Sequence, residues 1–332
     1  MVARLDSHAV FKGKRIGISV PAYREEKQID LVLGTMPDFV DRIAIVDDCS
    51  PDRTTQQCES WKGRLGERLI CVRHERNLGV GGAITTGYKK LLEEDMDVMV
   101  VMAGDGQMDP ADLPAIITPV VFGDADFAKG NRLFSGEAWK RTPRSRYIGN
   151  AFLSLLTKIA SGYWHIADSQ GGYTAISARA LKRLDFSHLH PRYPFENSML
   201  IELNINDCRV VDVAIEPRYG IGEQSSMRIL RVIPGMLRLL GRGFLRRLFQ
   251  KYVVRDFHPL VFFYGFGALF LTVGGVLGVI EVILRIATGG VSTATVVLVA
   301  LLIMSGLQFL LFAMWFDMES NRQLRGAQAR ND

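Results

Sequence analysis

From Arg15 to about Ile215, short β-branched runs alternate with amphipathic stretches, the pattern of a sheet assembled from crossover units. The runs are Ile16–Val20, Arg42–Val46, Leu69–Arg73, Val98–Met102 and Asp126–Lys129. Within Glu25–Met36, Ile29, Val32 and Leu33 fall at helical spacing, and Gly82–Glu93 repeats that spacing before the fourth run. The order predicted is β-α-β-α-β. Asn150–Ile159, with Phe152, Leu155, Leu156 and Ile159 on one stripe, predicts a further helix, and Asp207–Ile215 a late strand.

The pattern then changes. Met227–Arg255 mixes Leu, Ile, Val and Phe with Arg228, Arg231, Arg238, Arg242, Arg246, Arg247, Lys251 and Arg255, which suits an interfacial amphipathic segment on anionic lipid. Two apolar spans follow, Pro259–Leu284 and Thr293–Phe316, each near the ~20 residues that cross a bilayer as helix. They are too long and too continuously apolar for core helices of a soluble domain. Cations crowd before the first span and return after the second in Arg322, Arg325 and Arg330, which predicts a cell-membrane protein with both termini cytoplasmic. Met1–Lys14 has no long apolar run, so no cleaved secretory signal is expected. The organisation expected is a catalytic domain over 1–226, a juxtamembrane segment over 227–257, a two-helix hairpin over 258–316 and a cytoplasmic tail over 317–332.

Composition refines this picture in two places. The net charge of +5 lies largely just before the apolar tail, which favours a lipid surface and phosphate-rich ligands over nucleic acid. Cys49, Cys58, Cys71 and Cys208 show no Cys-x-x-Cys pairing and no His partners at ligand spacing, so neither a zinc site nor a disulfide scaffold is expected.

Candidate chemistry sits at the strand ends, where open α/β sheets bind ligands. The first strand runs into Pro21-Ala22-Tyr23-Arg24-Glu25 and the second into Asp47-Asp48; carboxylates there can accept from a ribose or a base edge. Arg76–Ala83 holds part of a glycine-rich dinucleotide fingerprint, but it follows the third strand and lacks the third glycine, so close packing of a helix start is the better reading. The fourth strand runs into Gly104-Asp105-Gly106-Gln107-Met108-Asp109, where Asp105 and Gln107 can face one hard divalent cation.

These strand-end motifs together resemble family 2 glycosyltransferases, most closely the dolichyl/polyprenyl-phosphate sugar synthases, over about Arg15–Arg228. The resemblance implies a GT-A-like, Rossmann-type α/β nucleotide-sugar domain with a mixed sheet, followed by amphipathic interfacial helices and two transmembrane helices. It implies that Pro21, Ala22, Tyr23, Glu25, Asp48, Gly82, Asp105, Gly106, Gln107, Arg132, Arg218 and Ser225 hold the donor nucleotide. Mg²⁺ or Mn²⁺ would rest on Asp105 and Gln107. Arg144, Arg146 and Gln170 would take the acceptor phosphate, and Asp105, Asp168, Arg144 and Arg146 would carry catalysis, with Asp168 weighted above Glu196. Arginine suits phosphate because its planar fork grips two oxygens. Ala103 stands where the family's Asp-x-Asp form often has its first acid.

The reaction so implied is inverting transfer of one sugar, from UDP-glucose, UDP-N-acetylglucosamine or GDP-mannose, to undecaprenyl or dolichyl phosphate at the cytoplasmic membrane face. Two other readings compete. A processive polysaccharide synthase would carry Gln-x-x-Arg-Trp and more spans, neither of which is found. A catalytically weak nucleotide-binding scaffold is motivated by Ala103. Gly274, Gly275 and Gly278 in the first span suit close helix packing, within the hairpin or in a homo-oligomer.

Overall fold

The computed structural model describes residues 11, 13–132, 144–215, 229–290 and 292–327, with backbone alone at 144–151 and 229–232. The chain runs through β1 (Ile16–Ala22), α1 (Ile29–Gly34), β2 (Arg42–Asp47), α2 (Thr54–Ser60), β3 (Leu69–Arg73), α3 (Val80–Glu93), β4 (Val98–Val101), α4 (Leu113–Val121), β5 (Phe127–Asn131), α5 (Arg144–Ser161), β6 (Thr174–Ser177), α6 (Phe195–Ile205) and β7 (Val210–Ala214). The strands form one sheet in the order β3-β2-β1-β4-β6-β5-β7. Strand β6 runs antiparallel to β4 and β5, while the other pairs are parallel. The mixed α/β sheet expected from the sequence is therefore observed.

Helices on both faces leave β1 buried throughout, which explains its near-continuous apolar run. On one face Ile16, Ile18 and Val20 pack with Ile29, Val32 and Leu33 of α1 and Ile116 and Ile117 of α4. On the other, α3 lies unusually close. A Cβ on Gly17 would stand 2.7 Å from Leu91 Cδ2, and one on Gly87 would stand 2.9 Å from Ser19 Cβ.

Among the elements that the hydrophobic pattern missed, three have a plain physical reason. Strand β6 has only four residues, too few for an alternation to register. In α6 ten of eleven residues are buried, Asn197, Glu202 and Asn204 among them, so it has no polar face to produce a stripe. In α4 the buried positions likewise leave little polar face. One cysteine expectation is also corrected: Cys58 of α2 and Cys71 of β3 form a disulfide. Spacing could not show it because the two meet through the packing of α2 on β3.

Beyond β7 come α7 (Ile229–Phe249), a π-helical turn at Gln250–Arg255, α8 (Leu260–Thr288) and α9 (Thr293–Ser320). Residues up to Phe244 and from Gln323 onward belong to the first compact unit, and Leu245–Arg322 forms a second. Within the first, Met236 and Leu240 of α7 pack with Ala160, Ile201 and Ile205. Leu324 is buried, and Gly326 N–H donates to the Val210 carbonyl at the edge of β7 (2.9 Å).

Helices α8 and α9 are long and apolar enough to cross a membrane, with mean hydropathy 2.2 and 2.6. Only 11% of each apolar window is buried, the opposite of a soluble core helix. Glycines bring the pair together: a Cβ on Gly267 would meet Leu310, and one on Gly306 would meet Leu271. At the other end of the hairpin from its turn, Arg247 and Asp317 are both fully buried and form a two-pronged ion pair (2.7 and 2.9 Å). Tyr252 donates its hydroxyl to the same carboxylate (2.7 Å), and Asn321 adds its amide (3.0 Å).

Removing one member of a buried pair strands the other charge. Arg247→Met is expected to destabilise the second unit by about 3–5 kcal/mol, whereas Arg247→Met combined with Asp317→Leu recovers most of that loss. Thermal melts of the full chain in detergent check both.

Candidate active site

Strand β1 has β2 on one side and β4 on the other, so the chain reverses its winding between β1 and β4 and opens a crevice at their carboxyl ends. The loops there are tied together. Asp48 N–H donates to the Ala22 carbonyl (2.9 Å), Arg24 N–H to Ser50 Oγ (3.0 Å) and Glu25 N–H to Thr54 Oγ1 (3.0 Å). Arg24 and Cys49 adopt left-handed φ values of 64° and 62°, a cost sustained where a turn is over-determined by its surroundings. Tyr23 is exposed beneath the Arg24 guanidinium, 5.3 Å from its ring centre.

Asp48 is buried and committed to the loop after β3. It accepts from the N–H groups of Leu78 (2.8 Å) and Gly79 (2.7 Å), and its Oδ1 meets His74 Nδ1 at 2.7 Å. His74 Nε2 reaches Thr86 Oγ1 at 2.9 Å, linking Asp48 to α3. The glycines of this loop serve packing. Gly79 has φ +93°, a Cβ on Gly81 would collide with the His190 carbonyl, and Gly82 N–H donates to the Pro191 carbonyl (2.9 Å). His74 was not singled out from the sequence, where it stands alone among polar residues.

Across the crevice Asp105 accepts from Gln107 N–H (3.0 Å), with Gly106 at φ +76° completing the turn. A Cβ on Gly104 would lie 3.2 Å from the Pro21 carbonyl and 3.4 Å from Glu25 Cγ, so the first and fourth strand-end motifs share one wall. Burial pushes the Glu25 carboxyl up to about 7, with Asp105 and then Asp52 adding to the rise. A hard cation suits that negative ground. Among the described residues no three carboxylate, imidazole or thiolate groups form a metal cage; one or two carboxylates, completed by substrate phosphates, are what Mg²⁺ uses.

The third wall grows from β5. Arg132 Nε donates to Asp168 Oδ2 (2.9 Å) and its Nη2 faces Oδ1 (3.4 Å). Burial alone would lift Asp168, but Arg132, Lys129 and the Gln170 N–H outweigh it and hold the carboxyl below the usual carboxylate range. Gln170 Nε2 reaches Asn197 Oδ1 (3.4 Å), and Asn197 donates to Thr157 Oγ1 of α5 (2.7 Å). Tyr173 donates its hydroxyl to the Asp109 carbonyl (3.1 Å), joining this loop to the Asp105 turn. Burial raises Glu196, offset only in part by Lys129. Asp212 accepts from Ala167 N–H (2.7 Å) and Asn131 Nδ2 (2.9 Å), and burial pushes it up to about 6.

The residues named from the sequence thus fall into three adjoining groups: Pro21, Ala22, Tyr23 and Glu25 with Asp105, Gly106 and Gln107; Asp48 with Gly82; and Arg132 with Asp168 and Gln170. Arg144 and Arg146 lie in the first turn of α5, where backbone alone is described. Arg218 and Ser225 lie outside the described residues.

Comparison with known proteins bears on the family and the fold. The family model described as Glycosyl transferase family 2 matches residues 18–185. The UDP-N-acetylglucosamine–dolichyl-phosphate N-acetylglucosaminyltransferase of Methanococcus voltae is 33% identical over 218 residues, 62% of this chain and 86% of the relative. The undecaprenyl-phosphate mannosyltransferase of Micrococcus luteus is 29% identical over 204 residues, 60% of this chain and 82% of the relative. Among solved structures, glucosyl-3-phosphoglycerate synthase from Mycobacterium tuberculosis, in complex with Mn²⁺, UDP-glucose and phosphoglyceric acid, superposes with a TM-score of 0.52 at 20% identity, covering 73% of this chain and 82% of that one. That likeness shows the shared GT-A fold.

Because the folded Asp212 carboxyl titrates above its unfolded counterpart, its neutral form is the one the fold prefers. Stability is therefore greatest below the unfolded value of 3.8 and declines as pH rises through about 6. Asp212→Asn keeps an oxygen for Ala167 and Asn131 and is expected to remove on the order of 2 kcal/mol of that decline. Denaturant unfolding of parent and variant at pH 4 and pH 7 checks it.

Proposed function

The chain belongs to glycosyl transferase family 2, and from that premise we propose that it moves one sugar from a nucleotide donor to a polyprenyl phosphate at a membrane surface, with inversion. The observation that carries this reading is the state of Asp168: buried, anionic and committed to Arg132. Such a carboxylate holds a cation in place and is poorly suited to accept a proton. A phosphate acceptor needs no base, because its second pKa near 6 leaves it largely dianionic at pH 7.

Catalysis then consists of alignment and charge stabilisation. Asp168 fixes the Arg132 guanidinium where the donor diphosphate leaves. Arg144, Arg146 and Gln170 take the acceptor phosphate, while Asp48 braces the wall against which the nucleoside rests. Arg218 and Ser225 are assigned to the donor phosphates. Asp105 and Gln107 would hold Mg²⁺ or Mn²⁺, which supplies positive charge to the departing diphosphate. The relative from Methanococcus voltae is named for UDP-N-acetylglucosamine, and a UDP sugar is the donor favoured for this chain. A lipid tail is held in the bilayer at about 0.8 kcal/mol per CH₂, so the two apolar helices bring the enzyme to its acceptor, with the 1–226 domain and both termini on the cytoplasmic face.

The purified full chain is expected to release nucleoside diphosphate and form a glycolipid when given polyprenyl phosphate, divalent metal and one donor from a panel of UDP and GDP sugars. No glycolipid with any donor would reject the proposal. Arg132→Ala is expected to lower kcat by about 10²–10³-fold, the scale of losing one preorganised charge donor. An Asp105→Ala variant that keeps parental activity and metal response would remove Asp105 from the metal's ligands.

A further inference from the structure

We infer that Lys129 is a positioning residue for the transfer: its buried ammonium, bound to the Gly171 carbonyl from beneath, sets the Asp168–Gly172 loop and with it the stance of Asp168 and Arg132. The inference rests on the function proposed above and names a residue of the same site. The sequence places Lys129 at the end of the fifth strand run, just before Arg132, and gives it no role of its own.

The geometry is specific. Lys129 is 1% exposed, in register with Thr174 of β6 and Asp212 of β7, and its Nζ donates to the Gly171 carbonyl. An ammonium is rarely buried without compensating partners. Here the charged groups facing it come from each neighbouring element: Asp168 from the loop before β6, Glu196 from α6, Asp212 from β7 and Arg132 from its own strand's end. Lys129 and Glu196 both line a small cavity, along with Gly172, Thr174 and Phe195. It has room for about one water. The loop has no slack above them, since a Cβ on Gly171 would lie 2.5 Å from the Gly130 carbonyl and 3.3 Å from Asp168 Oδ2. Three of the four positions in Lys129–Arg132 thus act on one wall: Lys129 on Gly171, Asn131 on Asp212 and Arg132 on Asp168.

The test uses the full chain in detergent, comparing the parent with Lys129→Met and with Lys129→Met/Glu196→Gln, which removes a cation and an anion together. Both variants are expected to lose at least tenfold in kcat with donor KM within threefold. Parental kcat in Lys129→Met or in the double variant would overturn the inference; the second result would mean that Lys129 only balances the Glu196 charge. Where Lys129→Met does not fold, the double variant decides alone. A parent that transfers no sugar fails the function proposed above, and hydrogen exchange then decides this inference. The double variant is expected to exchange at least tenfold faster at the amides of 169–172 with α3 unchanged, and unaltered exchange there overturns it.

Discussion

The Arg132 guanidinium at the end of β5 is held still by one carboxylate sunk behind it. Asp168 is buried while Arg132 is partly exposed, so the desolvated anion fixes a guanidinium that still reaches solvent. The arrangement is stable because the anion's burial is compensated on several sides at once. Asp48 follows the same rule, its oxygens spent on backbone N–H groups and His74. The carboxylates of the crevice divide accordingly into those that shape the walls and those, Glu25 and Asp105, that leave negative ground between them.

The legible part of the sequence was the part built by repetition. The five strand runs, the helices at Glu25–Met36 and Gly82–Glu93 and the two long apolar spans all carry a period that burial on one face or on all faces imposes. Their observed bounds differ by a few residues, as at β1, which extends to Ala22, and α5, which begins at Arg144. What stayed hidden depends on tertiary neighbours. Strand β6 is a strand because β4 and β5 offer it two edges, and α6 is buried on every side, so neither shows a pattern. The pairing of Cys58 with Cys71 likewise exists only once α2 has packed.

The same distinction holds within the site. Asp48, Asp105, Arg132 and Asp168 could be picked out because strand ends and short motifs single out their positions. His74 and Lys129 could not, since each matters through residues far away in sequence: Thr86 and Asp48 for one, Gly171 and Glu196 for the other. The Arg247–Asp317 pair was equally unreadable. Seven basic residues accompany Arg247 in its segment, and only the fold shows that Arg247 is fully buried.

The return of the chain to β7 has a bearing on biogenesis. Residues 323–327 complete the border of the first unit, with Leu324 inside its core and Gly326 bonded to Val210, yet they are translated after both apolar helices. A ribosome therefore releases nearly the whole first unit ahead of the two apolar helices and delivers the segment that flanks its outer strand after them. Until that segment has been added, the open flank of β7 lacks the cover that guards such edges from pairing with other chains.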